Sequence, residues 1–588
     1  MTSFKNAPFV SIKKQQYRVN MRSTGQGVLY LEEQEAVRPT PYRMTARLAH
    51  WAEKTPDKVF LGDQEKTISY REAYELTRNV SQWILDQGAT PDKPIAILAE
   101  NSLEHGIMAL AALHVGIPYA AITPAYATKA SDYAKLKHAL DLLQPSILLI
   151  SQGSAYEKAL QAVDHQAIVV YIEQEPAGDF EKIAFENITQ TLATKQVDLA
   201  HQAIQPNTLA KILFTSGSTG LPKGVMNTHE NVTTNWQQIT QVFPFFEEGF
   251  TLIDWLPWNH TFGGNHNFGL TLYHGGSLFI DGGNPTPAGT KITVENIRKI
   301  APTIYFNVPK GFEELLPYLR EDADFRARFF KNLKLLFYAG AGMSQAVWDA
   351  LEELSVQETG KRVFISTGLG CTESSPSALF NTHEDSFSGL LGVPVSGLSL
   401  KLVPNGGKLE ARFKGKNVMP GYWKNPAATA AAFDEEGYYQ TGDALKFVDP
   451  LDPNRGLIFD GRIAEDFKLD TGTWVSVSTI RAAVIAASQG KLTDIVITGH
   501  DRSFVGLLVF SSDISNEMLA EVLSAYNKTS RGSSTYLRRA MIVNTPLSLE
   551  LGELTEKGSI NQRAVLTNRK ELVEQLYAKE ATDNMLVL

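Results

Sequence analysis

Residues 215–224 have the sequence Thr-Ser-Gly-Ser-Thr-Gly-Leu-Pro-Lys-Gly and follow directly on the apolar run Lys211–Phe214. Glycines and hydroxyl side chains after a strand can turn backbone N–H groups and hydroxyls towards phosphate oxygens, and a lysine adds positive charge. The loop is not a Walker A motif, because Pro222 and Gly224 flank the lysine where that motif has Gly and Ser or Thr. The predicted phosphate-binding residues are Thr215, Ser216, Gly217, Ser218, Thr219, Gly220 and Lys223.

A helix is predicted to begin soon after this loop. Asn227, followed three residues later by Glu230, resembles an N-cap with its capping partner. A dinucleotide-binding fingerprint is excluded elsewhere, because Gly340-Ala341-Gly342 is followed by Gln345 where that motif requires a third glycine. The prediction of phosphate binding therefore depends on residues 215–224.

Short β-rich runs alternate with helical stretches from about Ala46 to Pro450. Such alternation is typical of parallel strands joined by crossover helices, and it predicts an α/β fold. Between Leu398 and Val448, short strands separated by Gly and Pro predict an antiparallel sheet or a small β-barrel-like part. The apolar stretch Gly106–Pro124 carries His114 and Pro118, which favour a buried helix and strand over a membrane span.

The chain is predicted to form two domains. Its 588 residues are too many for a single hydrophobic core. A polar turn follows Asp460-Gly461-Arg462, and a smaller mixed segment continues to Leu588. We predict a large N-terminal domain of β-sheets flanked by helices over residues 1–461, and a smaller, mobile α+β C-terminal domain over residues 462–588.

Charge and cysteine content restrict the partners and the compartment. The net charge of −9 is spread along the chain, which argues against binding to nucleic acid or to an anionic membrane surface. Cys371 is the only cysteine, so a disulfide within the chain is impossible and a reducing, cytoplasmic location is expected. No integral membrane segment is predicted, and a homodimer stays open as an assembly.

The ordered motifs resemble the adenylate-forming superfamily, which contains acyl-CoA synthetases, luciferases and peptide-synthetase adenylation domains. They are the loop at 215–224 and the segments at 255–264, 338–344, 367–373 and 437–443, with Asp460-Gly461-Arg462 after them. The resemblance implies an enzyme that joins a small carboxylic acid to AMP and then transfers the acyl group to coenzyme A. ATP, Mg²⁺ and coenzyme A are the implied cofactors.

The resemblance also implies roles for individual residues. Thr372 would donate to the α-phosphate, and Glu373 would hold Mg²⁺, for which one carboxylate with phosphates and water is enough. Gly340, Ala341 and Gly342 would lie along the adenine, where Leu369 replaces the usual aromatic cover. Asp443 and Arg462 would reach the ribose hydroxyls.

The segment at 255–264 resembles the border of the family's acid pocket, with His260 between the acid and the thiol tunnel. His260 and His266 lack a nearby carboxylate or cysteine, so we predict no metal site there. The aromatic residues of the segment would suit a flat ring but would equally border an alkyl channel. The predicted substrate-binding residues are Trp258, His260, Phe262, Gly263 and Leu369.

The C-terminal motifs resemble those that serve the thiol step. Lys468 and Gly472 match a loop in which the glycine leaves room for the pantetheine arm, and the family's charged hinge residue is Ala464 here. Lys557 is predicted as the catalytic lysine of adenylation, although an alignment on the glycines places Ser559 at that position.

Three segments resemble the bacterial feruloyl-CoA synthetase branch: Pro41-Tyr42-Arg43-Met44 with Leu48–Ala52, then Ser366–Pro376, then Leu554–Val565. The implied acid is ferulate or another hydroxycinnamate. A fatty-acid or other aryl acid–CoA ligase is the alternative, and a nucleotide-binding regulator without turnover is a further one. An adenylation unit serving a carrier protein is disfavoured, because no carrier segment follows Leu588.

Overall fold

The structure of the protein is a computed structural model. It describes residues 4–16, 18–130, 132–215, 221–488, 491–492, 495–511, 514–530, 532–548, 551–554, 560–578, 580 and 585–588. Over these residues, no helix is both long and apolar enough to cross a lipid bilayer.

The strands are short and occur along the whole chain. In chain order they are β1 Val19–Ser23, β2 Leu29–Glu33, β3 Val59–Gly62, β4 Thr67–Ser69, β5 Ile95–Leu98, β6 Tyr119–Ala121, β7 Ile147–Gln152, β8 Ile168–Glu173, β9 Lys182–Ala184, β10 Leu209–Thr215, β11 Lys223–Thr228, β12 Thr251–Asp254, β13 Ser277–Ile280, β14 Ile304–Asn307, β15 Leu335–Tyr338, β16 Phe364–Gly370, β17 Ser377–Phe380, β18 Leu390–Pro394, β19 Leu398–Asn405, β20 Lys408–Gly415, β21 Tyr439–Phe447, β22 Leu457–Arg462, β23 Phe467–Lys468, β24 Trp474–Val475, β25 Val496–Thr498, β26 Val505–Val509, β27 Leu537–Ile542 and β28 Met585–Val587.

Helices alternate with the strands, and a π-helix lies at Phe262–Phe268. The α-helices are α1 Ala46–Lys54, α2 Tyr70–Asp86, α3 Leu103–His114, α4 Ala125–Thr128, α5 Ala134–Leu143, α6 Gly153–Ala162, α7 Phe185–Thr189, α8 Lys195–Ala203, α9 His229–Val242, α10 Gly269–His274, α11 Pro287–Lys299, α12 Pro309–Glu321, α13 Ala323–Phe330, α14 Gln345–Thr359, α15 Pro426–Ala432, α16 Val477–Ala487, α17 Asn516–Asn527, α18 Gln562–Asn568 and α19 Lys570–Leu576.

A seven-stranded sheet holds the two strands that flank the predicted phosphate loop, in the order β11-β10-β6-β5-β7-β8-β9. Its neighbouring strands are parallel, except that β10 and β11 form an antiparallel hairpin. The central strands are apolar on both faces because helices cover the sheet on both sides. Helix α3 is buried at every position from His105 to His114, as an internal crossover helix must be.

An eleven-stranded mixed sheet lies next to it, in the order β1-β2-β19-β20-β21-β22-β18-β17-β16-β15-β14. Strands β14, β15 and β16 are parallel, whereas the others pair antiparallel. The antiparallel strands predicted between Leu398 and Val448 are β19, β20 and β21 of this sheet. A third sheet has the order β12-β13-β3-β4.

The C-terminal residues bury cores of their own. Strands β23 and β24 form a hairpin, and β25-β26-β27-β28 form a separate sheet covered by helices α16 and α17. This part is joined to the larger one through the chain near Asp460, whose carbonyl accepts hydrogen bonds from Lys408 Nζ at 2.7 Å and from Ser478 Oγ at 3.2 Å. The predicted α/β fold with a larger and a smaller part is confirmed.

One local prediction is wrong. Helix α9 is capped by Thr228, whose side chain accepts from the backbone N–H of Asn231, while Asn231 Oδ1 accepts from Thr228 N–H. Asn227 is not the cap because its side chain is used elsewhere: its Oδ1 accepts from Asn265 Nδ2 at 2.9 Å. The helix therefore begins one residue later than the pattern of Asn227 and Glu230 predicts.

Candidate active site

The strands on either side of the predicted phosphate loop hold its two ends together. Thr215 at the end of β10 is paired with Lys223 at the start of β11. Lys223 Nζ lies 4.8 Å from the ring centre of Tyr422. The predicted loop residues Ser216, Gly217, Ser218, Thr219 and Gly220 lie outside the described residues. The hairpin thus places a lysine ammonium at the exit of the loop.

Glu373 lies in the short 3-10 turn Thr372–Ser374, directly after strand β16. Its Oε1 accepts a hydrogen bond from the Tyr422 hydroxyl at 3.0 Å, and its backbone carbonyl accepts from Met419 N–H at 2.8 Å. Only 8% of the residue is exposed. Among the described residues, the side-chain donor to this carboxylate is Tyr422, and the hydrogen bond is made to Oε1.

Asp443 and Arg462 are brought together by the pairing of β21 with β22. Arg462 Nε lies 3.4 Å from Asp443 Oδ1. Burial raises the pKa of Asp443 to about 6, and the Arg462 guanidinium opposes this increase. Glu373 also raises this pKa, which places its carboxylate within electrostatic range of Asp443. The Asp443 carboxylate therefore lies beside the Arg462 guanidinium and within electrostatic range of Glu373.

The segment Gly340-Ala341-Gly342 follows strand β15 at the same edge of the sheet as Glu373. Gly340 has a φ of +89°, which favours glycine, and a side chain at Gly342 would meet no atom within 4 Å. Leu369 is half-buried in β16 and paired with Leu379. The open backbone at Gly342 could accommodate a flat group lying against it.

The segment predicted to border the acid pocket forms the turn into the π-helix Phe262–Phe268. Trp258 is buried, with its ring centre 4.7 Å from that of Phe268, and His260 N–H donates to the Pro257 carbonyl. A Cβ at Gly263 would lie only 2.4 Å from Pro257 O. Gly263 therefore permits close packing of the π-helix against this turn.

Two aromatic residues of the π-helix, Phe262 and His266, pack against Phe306 and Phe337. The ring of His266 lies 5.3 Å from Phe262, 5.0 Å from Phe306 and 5.2 Å from Phe337, centre to centre. Burial lowers the pKa of His266 to about 4, so its imidazole is neutral near pH 7. Of this group, only Phe262 was predicted as a pocket residue. The described residues include no cluster of three or more His, Cys, Asp or Glu side chains suited to a metal ion.

Lys468 and Gly472 lie together in the β23–β24 hairpin. Lys468 is paired with Trp474, and its Nζ lies 5.1 Å from the centre of that ring. Gly472 has a φ of +78°, and a side chain there would meet no atom within 4 Å. Ala464 lies in the 3-10 turn Ile463–Glu465 that leads into this hairpin.

Lys557 lies outside the described residues. Before it, Glu553 is fully buried and accepts hydrogen bonds from Arg569 Nε and Nη2, both at 2.8 Å. Leu554 and Ile560 form an antiparallel bridge, and Asn561 N–H donates to the Glu553 carbonyl at 2.8 Å. The residues on the two sides of 555–559 are thus fastened to each other.

Sequence reasoning missed Tyr422, His266, Phe306 and Phe337. The Gly and Pro residues between Leu398 and Val448 were interpreted only as separating short strands, yet Tyr422, which lies among them, contacts Glu373, 49 positions away. His266 was considered only as a metal ligand. A buried aromatic residue after a glycine next to a strand was the available signal for Tyr422, and it is a weak one.

Known proteins of similar sequence and structure include several ligases. A chloroplast long-chain-fatty-acid–[acyl-carrier-protein] ligase of Arabidopsis thaliana is 22% identical, with 90% of this chain and 85% of the relative covered. The 4-coumarate–CoA ligase of Pinus taeda is 23% identical, with 79% of this chain and 84% of the relative covered. Crystalline ATP-bound MatB from Rhodopseudomonas palustris has a TM-score of 0.72 at 21% identity, covering 91% of this chain and 100% of that one.

Two family models match the chain. The model described as the AMP-binding enzyme C-terminal domain matches residues 469–581. The model described as AMP-binding enzyme matches residues 48–423, which is more than half of the chain and includes Lys223 and Glu373. The predicted enzyme class is confirmed by these matches. The chain therefore belongs to the AMP-binding enzyme family.

Proposed function

We propose that the protein is an ATP-dependent acid–CoA ligase that works in two steps. First, the carboxylate of a small acid attacks the α-phosphorus of ATP, which gives an acyl-adenylate and releases pyrophosphate. Then the thiol of coenzyme A attacks the acyl carbonyl, which gives the thioester and releases AMP. The observation that carries this proposal is the grouping of Lys223, Glu373, Asp443 and Arg462 in a chain of the AMP-binding enzyme family.

The nucleotide is proposed to bind among these residues. Asp443 accepts from the ribose hydroxyls, and Arg462 supports it from the neighbouring strand. Thr372 donates to the α-phosphate, and the residues 215–220 with Lys223 surround the other phosphates. The adenine lies against Gly340, Ala341 and Gly342, and the open space at Gly342 supports this placement.

Glu373 is the proposed protein ligand of Mg²⁺. Its chemistry fits, because the cation prefers a few carboxylate oxygens together with phosphates and water, and the hydrogen bond from Tyr422 is made to Oε1. When bound, the ion would neutralise negative charge on the phosphates. Glu373 itself keeps its carboxylate in place through the hydrogen bond from Tyr422.

The first step brings two anions together, so it depends on positive charge. Lys223 at the loop exit supplies one charge, and Lys557 is proposed to bridge the acid and the α-phosphate. Removal of one such electrostatic group typically costs about 2.7–4 kcal/mol of transition-state stabilisation. No protein nucleophile is required, and burial raises the pKa of the Cys371 thiol, which is consistent with a packing role.

The acid is proposed to be ferulate or another hydroxycinnamate. Support comes from the aromatic group of Phe262, His266, Phe306 and Phe337, whose rings pack together and could form an aromatic wall for a flat substrate. Trp258, His260, Gly263 and Leu369 complete the proposed pocket. The resemblance to the feruloyl-CoA synthetase branch and the 4-coumarate–CoA ligase among the relatives point the same way.

A fatty acid is the second candidate substrate. The Arabidopsis thaliana relative is named for long-chain fatty acids and for an acyl carrier protein, so an alkyl chain and a carrier thiol are both alternatives. The same site residues would serve either acid. The aromatic walls contact an alkyl chain as readily as a ring, and a substrate panel decides between them.

The second step is proposed to use Lys468 and Gly472. The open space at Gly472 leaves room for the pantetheine arm. Lys557 has to leave before the thiol approaches, and a rotation about residues near Ala464 between the proposed domains 1–461 and 462–588 would exchange the two groups. The separate core of the C-terminal part supports this division. The reducing cytoplasm is the proposed compartment.

A single assay tests the proposed function. Purified protein is incubated with ATP, Mg²⁺ and a panel of ferulate, cinnamate and long-chain acids, with and without coenzyme A, and AMP and thioester are measured. We expect AMP and feruloyl-CoA when all components are present. Release of AMP without thioester would contradict the ligase proposal. Thioester formation from long-chain acids alone would contradict the proposal that the substrate is a hydroxycinnamate.

A further inference from the structure

Tyr422 is fastened to the strand that leaves the phosphate loop. The residue forms an antiparallel bridge with Val225 of β11. On either side of it, Met226 N–H donates to the Gly421 carbonyl at 3.1 Å, and Trp423 N–H donates to the Gly224 carbonyl at 2.8 Å. The backbone of Tyr422 is therefore held against the strand that carries Lys223.

The side chain of Tyr422 contacts both charged groups of the proposed nucleotide site. Its hydroxyl donates to Glu373 Oε1 at 3.0 Å, and its ring lies 4.8 Å from Lys223 Nζ. The residue is 7% exposed and Glu373 is 8% exposed, so water competes little for this hydrogen bond. One buried side chain thus contacts both Lys223 of the phosphate loop and the Glu373 carboxylate, which follows strand β16.

We propose that Tyr422 is a positioning residue that orients the Glu373 carboxylate towards a divalent cation and couples it to the phosphate-loop strand. The inference rests on the proposed function, because Glu373 is the proposed ligand of Mg²⁺. The hydroxyl occupies Oε1 and leaves Oε2 to face the ion. Partners of this kind around metal ligands typically change metal affinity or activity by about 10–100-fold when they are removed.

The hydroxyl is suited to this task because it donates to Glu373 Oε1 from a buried position and so limits the orientations open to the carboxylate. Phenylalanine would fill the same space, so Tyr422→Phe removes the hydroxyl and its hydrogen bond but keeps the ring.

The test measures cation binding rather than turnover. Mn²⁺ replaces Mg²⁺, and its binding is followed by electron paramagnetic resonance in the presence of an ATP analogue that cannot be cleaved between the α and β phosphates. We expect Tyr422→Phe to weaken Mn²⁺ binding about ten-fold. Affinity for the analogue without metal should be unchanged, because the ring under Lys223 remains. Unchanged Mn²⁺ affinity in Tyr422→Phe would overturn the inference.

Tyr438→Phe is the matched control. Tyr438 is buried as well, and a side-chain hydrogen bond joins its hydroxyl to Ser399 Oγ at 2.9 Å. Its loss should leave Mn²⁺ binding at the wild-type level. Tyr422→Leu removes the ring as well and should also weaken binding of the analogue without metal about three-fold, through the lost cation–π contact.

A double-mutant cycle separates a direct effect from a general disturbance of the fold. In the Glu373→Gln background, Tyr422→Phe should cause no further loss of Mn²⁺ affinity, because the oriented carboxylate is already gone. Equal loss in both backgrounds would show that Tyr422 acts on something else, and would overturn the inference. If the wild type forms acyl-adenylate and Tyr422→Phe binds Mn²⁺ normally, only this inference fails. If the wild type binds Mn²⁺ as expected but makes no acyl-adenylate, the ligase proposal fails instead.

Discussion

The group around Glu373 and the hairpin that carries Lys468 are built differently. Glu373 is 8% exposed and is held by a buried tyrosine and by a backbone hydrogen bond from Met419. Lys468 lies in a hairpin of two-residue strands, and its partner Trp474 is 47% exposed. A group fixed by several buried contacts suits charge neutralisation, whereas an exposed hairpin suits a part that has to move. The difference predicts that the two proposed half-reactions can be damaged separately.

The largest expected effect concerns Glu373. Glu373→Gln keeps the shape and the acceptor for Tyr422 but removes the charge that would hold the cation. We expect formation of acyl-adenylate to fall about 10²–10³-fold. Release of pyrophosphate in the absence of coenzyme A measures this step. Adenylation close to the wild-type rate would remove Glu373 from the proposed metal site.

Gly263 tests how densely the acid-pocket region is packed. A Cβ there would lie 2.4 Å from Pro257 O and 2.5 Å from Leu256 O, and backbone atoms cannot give way. Gly263→Ala should lower the free energy of unfolding by about 3 kcal/mol, which is at the upper end of the destabilisation that overpacked substitutions usually cause. Chemical denaturation measures it, with Gly342→Ala as the control because its Cβ would meet open space. Equal stability of the two variants would contradict this packing.

The proposed nucleotide-site residues were predicted from short local motifs. The loop rich in glycine and hydroxyl side chains after Lys211–Phe214 indicated Lys223, and the resemblance of the later motifs to the adenylate-forming superfamily indicated Glu373, Asp443 and Arg462. The sequence did not predict the contact of Tyr422 with Glu373, which depends on the pairing of the 421–423 backbone with β11. Long-range pairing of this kind leaves no periodic signal.

The proposed acid pocket was predicted less completely for a similar reason. The segment at 258–263 is local and was found, but Phe306 and Phe337 reach the same group from strands β14 and β15. Each lies in an apolar strand that would be interpreted as ordinary core. The missing side chain of Gly263 also accommodates the backbone of residues 256–257, a contact that the sequence pattern does not show.

Lys468 should affect the other half-reaction. Lys468→Ala removes one exposed ammonium, and we expect the rate of thioester formation to fall about ten- to hundred-fold. This factor corresponds to the loss of one hydrogen bond to a charged group in the transition state. Adenylation should stay at the wild-type rate. Transfer from supplied acyl-adenylate to coenzyme A measures the effect, and Lys491→Ala serves as the exposed-lysine control. Equal loss of both half-reactions would contradict the separation.

Nucleotide affinity should depend on pH through Asp443. Burial raises its pKa to about 6, and the ionised carboxylate is the form proposed to accept from the ribose. The acceptor is therefore present above pH 6 and is lost as the pH falls through 6, so AMP affinity should drop about ten-fold between pH 7.5 and pH 5. Calorimetric titration at both pH values measures the change. Asp443→Asn should bind AMP more weakly at pH 7.5, and its AMP affinity should not fall further at pH 5. If the AMP affinity of the wild type is also the same at both pH values, Asp443 is not the titrating acceptor of the ribose.

The smallest expected effect is that of Gly472. Its φ of +78° strains any other residue, but a Cβ there would meet no atom within 4 Å. Gly472→Ala should therefore cost only about 1 kcal/mol of stability. Thermal unfolding measures this cost. A loss as large as that of Gly263→Ala would show that the hairpin is packed as tightly as the acid-pocket region.

The separation of the two half-reactions is tested most directly by giving purified Glu373→Gln protein a synthetic acyl-adenylate with coenzyme A and measuring the thioester. Transfer at close to the wild-type rate, in a variant that no longer makes acyl-adenylate from ATP, is the expected result. Loss of transfer together with adenylation, in a protein that remains folded, would contradict the assignment of the two steps to separately built parts of the molecule.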